Sequence, residues 1–156
     1  MKKYILMAII AIAATFNSYA EQGDVAATAQ FVYASKHSMA GLGAQLQYEF
    51  ATNWRVAPEF IYYFKDDGLS ALNVNLNLHY IIPTSHSFAI YPMVGFTYAH
   101  YMPDGPGKDI DRCGANVGVG AQYQIKENLF FFSEERFHIM KDFNQSVTVL
   151  GFKYKF

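Results

Sequence analysis

Strict alternation of apolar and polar residues is the feature that most constrains how this chain can fold. Over residues 72–82, six apolar side chains at every second position are interleaved with Asn73, Asn75, Asn77 and His79. A period of two over this length predicts a β-strand with one apolar face and one polar face. A helix of the same length would instead repeat its apolar positions every three or four residues.

The same alternation recurs along most of the chain, and the segments together predict eight strands. Besides 72–82, it is clear at 42–50, 114–125 and 150–156 and less regular at 25–33, 54–64, 88–101 and 129–139. Both faces of 88–101 are apolar, and its outer face is assigned to Phe88, Ile90, Val94, Phe96 and Tyr98. No internal repeat or domain linker interrupts this series, so a single all-β domain is expected.

One segment, 129–139, resists a clean assignment. Placing Leu129 and Phe137 on the apolar face puts Glu134, Arg136 and His138 on the polar face. The same choice leaves Ser133 and Glu135 among the apolar residues. The sequence leaves this conflict unresolved, and a β-bulge, which inserts one extra residue and reverses the alternation, is one way to relieve it.

The first twenty residues have a different pattern from the rest. Lys2 and Lys3 precede an apolar run over 5–16, and Ser18 and Ala20 supply small residues before Glu21. This is the layout of a secretory signal peptide, and cleavage is predicted after Ala20. A signal peptide over 1–20 leaves a domain over 21–156, although a buried N-terminal helix stays open as an alternative.

Composition excludes several classes of protein. Of the 156 residues, 52% are hydrophobic and 16% charged, so the chain is not disordered. Twelve basic and 13 acidic residues give a net charge of −1, which offers no support for nucleic-acid binding. Cys113 is the only cysteine, so an internal disulfide and a multi-thiolate metal site are both excluded.

The content of the polar faces distinguishes a membrane barrel from a soluble one. The polar strand faces carry Asn, Gln, Gly, Glu, Arg and His, whereas the other faces are large and apolar with aromatic residues at the strand ends. That distribution is typical of a membrane β-barrel with a polar interior and two aromatic girdles. The connection at 103–112 is longer than those at 51–53, 83–87 and 126–128, as in outer-membrane barrels. A soluble lipocalin-like barrel is the alternative.

The chain resembles a known family of proteins in three features, which are the signal peptide, the eight alternating strands and the alternating residues at its C-terminal end. The chain is similar to the small outer-membrane β-barrel proteins of the OmpA/OmpX/opacity type. The resemblance implies an eight-stranded antiparallel up-and-down barrel in the outer membrane of a Gram-negative bacterium. It also implies that the alternating C-terminal residues resemble the signal read by the barrel-assembly machinery, namely Leu150, Phe152, Tyr154 and Phe156.

The strongest candidate site is a set of charged residues on the predicted inner faces. An eight-stranded barrel is only wide enough to be filled by its own side chains. Opposite charges in that space are expected to pair, because an isolated buried charge is costly. The predicted lumen network consists of Glu49, Arg55, Glu59, Glu134, Arg136 and Lys153, with Lys155 and His79 on the same faces.

No catalytic, cofactor or metal site is predicted. His79 and His138 should differ in height by about 14 Å, and the aspartates 104, 109 and 111 do not match a calcium loop. The expected role is structural or interactive, with a lipid-modifying enzyme and a narrow pore or ligand-binding barrel as alternatives. Expected partners are outer-membrane lipid and lipopolysaccharide, the barrel-assembly machinery and an extracellular partner at the 103–112 loop, and the barrel is expected to be monomeric.

Overall fold

The structure is a computed structural model that describes residues 23–156, so the predicted cleavage site at Ser18 and Ala20 lies outside it. The described chain forms eight long antiparallel strands and one two-residue strand. In chain order these are β1 (Val25–Ala34), β2 (Met39–Ala51), β3 (Trp54–Asp66), β4 (Leu69–Tyr80), β5 (Ile82–Pro83), β6 (Phe88–Pro103), β7 (Ile110–Lys126), β8 (Leu129–Met140) and β9 (Gln145–Lys155).

The sheet closes on itself. Each long strand pairs with its chain neighbour, β1 also pairs with β9, and β4 pairs with β6. A path through directly paired residues leaves β6 at Tyr91 and returns to it at Tyr101, ten residues further along. A stagger of that size over eight strands tilts them by about 40° from the barrel axis. The predicted eight-stranded antiparallel barrel is therefore confirmed.

Alternation along the strands divides the side chains between two environments. On β4, Asn73, Asn75, Asn77 and His79 are buried in the lumen, whereas Leu76 is 53% exposed on the outer face. The less regular segment 88–101 also follows the prediction, with its assigned apolar residues exposed. The outer face is therefore an apolar band, which buries its side chains only if the surroundings are lipid.

The conflict in 129–139 is relieved without a bulge, and both faces of this segment are as assigned from the sequence. Pairing between β7 and β8 runs without a shift from Gly114 to Gln124, and pairing between β8 and β9 has no shift. Ser133 and Glu135 therefore lie on the outer face among apolar neighbours. Hydroxyl groups on β9 donate hydrogen bonds to Glu135, so the carboxylate is accommodated without a change of register.

Strands also extend further than alternation alone predicted. β7 begins at Ile110 rather than 114, and β9 begins at Gln145 rather than 150. As a result the 103–112 connection shortens to 104–109. Residues 23–156 contain no helix that is long and apolar enough to cross a membrane.

The two ends of the barrel differ in their connections. The lower end holds Gly23, Phe156 and the connections at 52–53, 84–87 and 127–128, whereas the upper end holds those at 35–38, 67–68, 104–109 and 141–144. Exposed aromatic residues form a girdle near each end. The lower girdle includes Phe50, Trp54, Tyr80, Phe88, Tyr123 and Phe156, and the upper girdle includes Tyr33, Tyr62, Phe64 and Tyr98.

Candidate functional site

The centre of the lumen is crossed by an ion triad of Arg136, Glu59 and Glu134. Arg136 on β8 donates from Nη1 to Glu59 Oε2 at 2.5 Å and from Nη2 to Glu59 Oε1 at 2.8 Å. The same guanidinium donates from Nε to Glu134 Oε2 at 2.9 Å. β3 and β8 lie on opposite sides of the barrel, so this triad spans the lumen from wall to wall.

Neutral amides complete the hydrogen bonding of Glu59. Asn75 Nδ2 donates to its Oε2 at 2.6 Å, and Gln45 Nε2 donates to its Oε1 at 3.4 Å. Gln30 on β1 donates to the same carboxylate. Because four side chains from four strands converge on Glu59, the burial of this carboxylate is offset by charge pairing and by hydrogen bonds.

Glu134 is held by a tyrosine from two strands away. The hydroxyl of Tyr91 on β6 donates a hydrogen bond to Glu134 Oε1 at 2.7 Å. Between these two strands lies β7, and the Tyr91 side chain passes over its Gly120, which pairs with both residues. A Cβ atom at Gly120 would overlap the Tyr91 ring, so a side chain in this position would displace the ring from Glu134. His79 stacks on the other side of Tyr91 with ring centroids 4.8 Å apart.

A second layer of charge lies below the ion triad. Arg55 donates to Glu49 Oε1 at 2.8 Å and to Gln122 Oε1 at 3.2 Å. Lys153 donates to the same Gln122 oxygen at 3.0 Å and lies 4.4 Å above the centre of the Phe130 ring.

The structure thus places all six residues of the predicted network in the lumen but changes their pairing. Lys153 was expected to neutralise a carboxylate, and it instead uses an amide oxygen and an aromatic ring. Lys155 pairs with Asp24 at the lower mouth, 2.5 Å apart. The central pair of Glu59 and Arg136 joins residues 77 positions apart in sequence.

The upper half of the lumen is filled by apolar side chains. This cluster contains Val32, Met39, Ile61, Tyr63, Tyr101, Met140, Val147 and Val149. Above it, Phe143 from the connection at 141–144 stacks on Tyr101 with centroids 4.5 Å apart and contacts His37. Lys36 and Arg112 approach the Phe143 ring at 5.3 and 5.5 Å. Phe143 therefore closes the upper mouth.

His100 and the loop aspartates have partners other than a metal ion. His100 Nδ1 lies 2.6 Å from Asp111 Oδ1, and the Tyr98 hydroxyl donates to the same oxygen at 2.8 Å. Asp104 pairs with Lys65. In the part of the chain that the structure describes, no three His, Cys, Asp or Glu side chains are arranged to hold a metal ion.

The four residues of the predicted assembly signal share the outer face of β9 and the residue after it. Leu150, Phe152, Tyr154 and Phe156 are all exposed, and Phe156 is the most exposed at 74%. Their backbone positions are set by pairing with β1 and β8. All four side chains therefore point away from the lumen.

Sequence reasoning missed the amides that complete the network. Gln30, Gln45 and Asn75 are uncharged, and Gln30 lies in a segment of irregular alternation. Alternation in the sequence does place these three residues on inner strand faces. It does not show which strands face each other across a barrel. The wall-to-wall arrangement depends on the closure and stagger of the whole sheet.

Comparisons with known proteins agree with this architecture. A family model described as "Outer membrane protein beta-barrel domain" matches residues 4–156. No sequence among the curated proteins matches the chain. Among solved structures, the N-terminal β-barrel domain of OprF from Pseudomonas aeruginosa aligns with a TM-score of 0.74 at 19% identity, covering 86% of this chain and 98% of that one.

Two further solved structures have the same fold. OprG from Pseudomonas aeruginosa aligns with a TM-score of 0.66 at 18% identity over 87% of this chain and 97% of that chain. Ail from Yersinia pestis aligns with a TM-score of 0.60 at 15% identity over 86% of this chain and 100% of that chain. At these identities the likeness shows a common fold.

Proposed function

Because the chain belongs to the outer membrane protein β-barrel domain family, we propose that it is a closed, non-catalytic barrel of the bacterial outer membrane. Its role is to strengthen the membrane and to present its upper connections at the cell surface. The observation that carries this proposal is the filled lumen. Paired charges occupy its centre and lower half, and apolar side chains occupy its upper half.

The arrangement of the lumen supports a structural role over a pore. The Arg136 guanidinium and both of its carboxylate partners are fully buried, so the triad is packed on all sides. Phe143 and Tyr101 then cover the upper mouth. An ion would have to displace both barriers to pass, and an interior of this width leaves no second route.

The hydroxyl groups on the outer face do not favour catalysis. Ser146 and Thr148 donate to Glu135, but the cluster lacks the histidine that serves as the base for the serine in a Ser-His-Asp triad. His138, on the same strand as Glu135, points into the lumen. The outer cluster therefore has an acceptor and hydroxyls without the imidazole that would activate them.

The expected partners follow from the position of each surface. Outer-membrane lipid and lipopolysaccharide cover the apolar band and its upper rim. The barrel-assembly machinery would read the outer face of β9 during insertion. An extracellular partner would meet the connection at 104–109, which contains Asp104 and Asp109 and is the longest at the upper end.

A deletion strain tests the proposal with two measurements. Uptake of an apolar fluorescent dye should rise when the gene is deleted and return to normal with the full chain. Mass spectra of lipid A should be identical with and without the protein. A mass change that depends on the protein would show lipid modification and would contradict the proposal.

The same strain separates membrane strengthening from surface presentation. A variant with residues 104–109 replaced by glycine and serine keeps every strand and should restore the dye barrier. If binding to a surface partner is the dominant role, that variant should lose adhesion while it keeps the barrier. Failure of the full chain to restore either property would contradict the proposed function.

A further inference from the structure

The connection between β6 and β7 is attached to the barrel near each of its ends. At its start, the Asp104 backbone N–H donates to the Gly68 carbonyl at 2.6 Å, and the Asp104 carboxylate pairs with Lys65. At its other end, Asp109 Oδ2 lies 3.5 Å from His100 Nε2. Every residue of the connection is exposed, so the contacts at its two ends determine how closely it lies against the barrel.

His100 faces one aspartate with each of its ring nitrogens. Nδ1 lies 2.6 Å from Oδ1 of Asp111, the residue paired with His100 on β7, whereas Nε2 faces Asp109. Tyr98, which is paired with Cys113, donates its hydroxyl to the same Asp111 oxygen at 2.8 Å. A positively charged imidazole has an N–H group on both nitrogens, whereas the neutral ring has only one. Only the charged form of His100 can therefore donate to both carboxylates.

The two contacts of the imidazole differ in length, and the difference determines which contact depends on the charge of the ring. At 2.6 Å, the contact of Nδ1 with Asp111 has the length of a strong charge-assisted hydrogen bond. When the ring loses a proton, the stronger bond keeps the remaining proton on Nδ1. Nε2 then presents a lone pair to the Asp109 carboxylate, and the attraction between them is lost. Asp109, His100 and Asp111 are called the His100 bridge.

The other groups around His100 do not replace the contact that is lost. On β4 the paired residue is Leu72, which is uncharged. On β7, Arg112 donates to the backbone carbonyl of Asp111 at 2.9 Å. Lys108 in the connection is exposed and, like arginine, keeps its charge throughout the neutral range. The imidazole is therefore the group at this rim whose charge changes near neutral pH.

His100 lies beyond the apolar band. It is two residues above Tyr98, which belongs to the upper girdle, and it shares the rim with the exposed Asp109 and Asp111. Its hydrogen bond to Asp111, together with the negative charge of both aspartates, raises the pKa of the imidazole above its usual value of 6.5. The contact with Asp109 is therefore complete in acid and is lost as the pH rises through that raised pKa.

We propose that the His100 bridge holds the end of the 104–109 connection against the barrel in acid and releases it at higher pH. The start of the connection does not respond, because Lys65 and Asp104 both keep their charges between about pH 5 and pH 9. The released segment is attached at one end only, and Gly105, whose φ is +98°, allows it to bend. This pH dependence goes beyond the proposed function and does not require a surface partner.

The backbone mobility of the connection tests the proposal. The full chain, isotope-labelled and folded in phospholipid nanodiscs, is studied by NMR relaxation across the neutral pH range. Order parameters of residues 107–109 should fall from about 0.8 to below about 0.6 as the pH rises. The midpoint should coincide with the titration of the His100 ring, followed by its carbon chemical shifts. Asp104 should show no such change, because its pair with Lys65 remains charged.

Three variants separate the bridge from other causes of mobility. Asp109→Ala removes the carboxylate that faces Nε2, so the connection should be mobile at every pH. Asp111→Asn removes a charge that favours the protonated imidazole, so the midpoint should move to lower pH. Lys108→Ala changes the adjacent exposed residue and should keep the transition of the unmodified protein. Well-dispersed spectra should show that each variant is folded.

Three results would overturn the proposal. The first is a connection that keeps the same mobility over the whole pH range. The second is a transition whose midpoint differs from that of the His100 ring. The third is a transition that persists in Asp109→Ala, which would assign the effect to another group. None of these results depends on dye uptake, lipid A or conductance, so the proposed function keeps its own tests.

Discussion

Arg136 on β8 meets both carboxylate oxygens of Glu59 on β3, at 2.5 and 2.8 Å, across the full width of the barrel. Two parallel hydrogen bonds between a guanidinium and a carboxylate fix the orientation of both groups. Both side chains are fully buried. This pair therefore fastens opposite walls together and occupies the space through which an ion would have to pass.

Breaking the central pair should destabilise the barrel. Arg136→Met leaves Glu59 and Glu134 buried without their shared cation, which should cost about 3–5 kcal/mol. Urea unfolding in phospholipid vesicles, followed by the fluorescence of the single tryptophan, Trp54, measures this loss. The double variant Arg136→Met with Glu59→Gln should recover part of the stability.

A double-mutant cycle tests whether this coupling is real. The combination with Glu59→Gln should recover more stability than the combination with Glu134→Gln, because Arg136 donates to both carboxylate oxygens of Glu59 but to only one oxygen of Glu134. Independent losses that simply add would show that the residues are not coupled.

The contact of the outer face with lipid can be tested at two depths, on the consecutive strands β4 and β5. Leu76→Arg places a charge near the middle of the apolar band and should cost about 2–4 kcal/mol. Ile82→Arg lies on β5 near the lower end and should cost about 1 kcal/mol or less. Equal losses in vesicle unfolding would mean that Leu76 does not face the middle of a bilayer.

Gly95 should tolerate no side chain. A Cβ atom there would overlap the Asn77 and Asn116 oxygens and the Leu76 carbonyl, so Gly95→Ala should cost about 1–3 kcal/mol. Gly107→Ala in the upper connection meets nothing closer than 3.4 Å and serves as the control. Unchanged stability in both variants would contradict the tight packing of the lumen wall.

The last strand provides a test of assembly rather than stability. Phe156→Ala should lower the yield of folded protein in the outer membrane, because its exposed ring resembles the assembly signal. Lys155→Ala removes an ion pair at the lower mouth and should have little effect on yield. Heat-modified gel mobility of membrane fractions measures both, and equal yields would count against the assigned role of Phe156.

The alternation of apolar and polar residues was sufficient to predict which side chains face inward. Closing the sheet into a barrel does not change which face of a strand each residue lies on. The alternation could not predict that Glu59 meets Arg136, since that contact depends on strand number and stagger together. The conflict at Ser133 and Glu135 has a different origin. Polar residues on the apolar face suggested a bulge, whereas hydroxyls supplied by β9 accommodate Glu135 without one.

Ion conductance through single barrels tests the closed lumen most directly. Purified protein in a planar phospholipid bilayer at 1 M KCl should show no steady unitary current, because the triad of Glu59, Arg136 and Glu134 and the ring of Phe143 block the passage. Phe143→Ala opens only the upper mouth and should also stay silent. A steady conductance in the unmodified protein would contradict the closed barrel and the structural role derived from it.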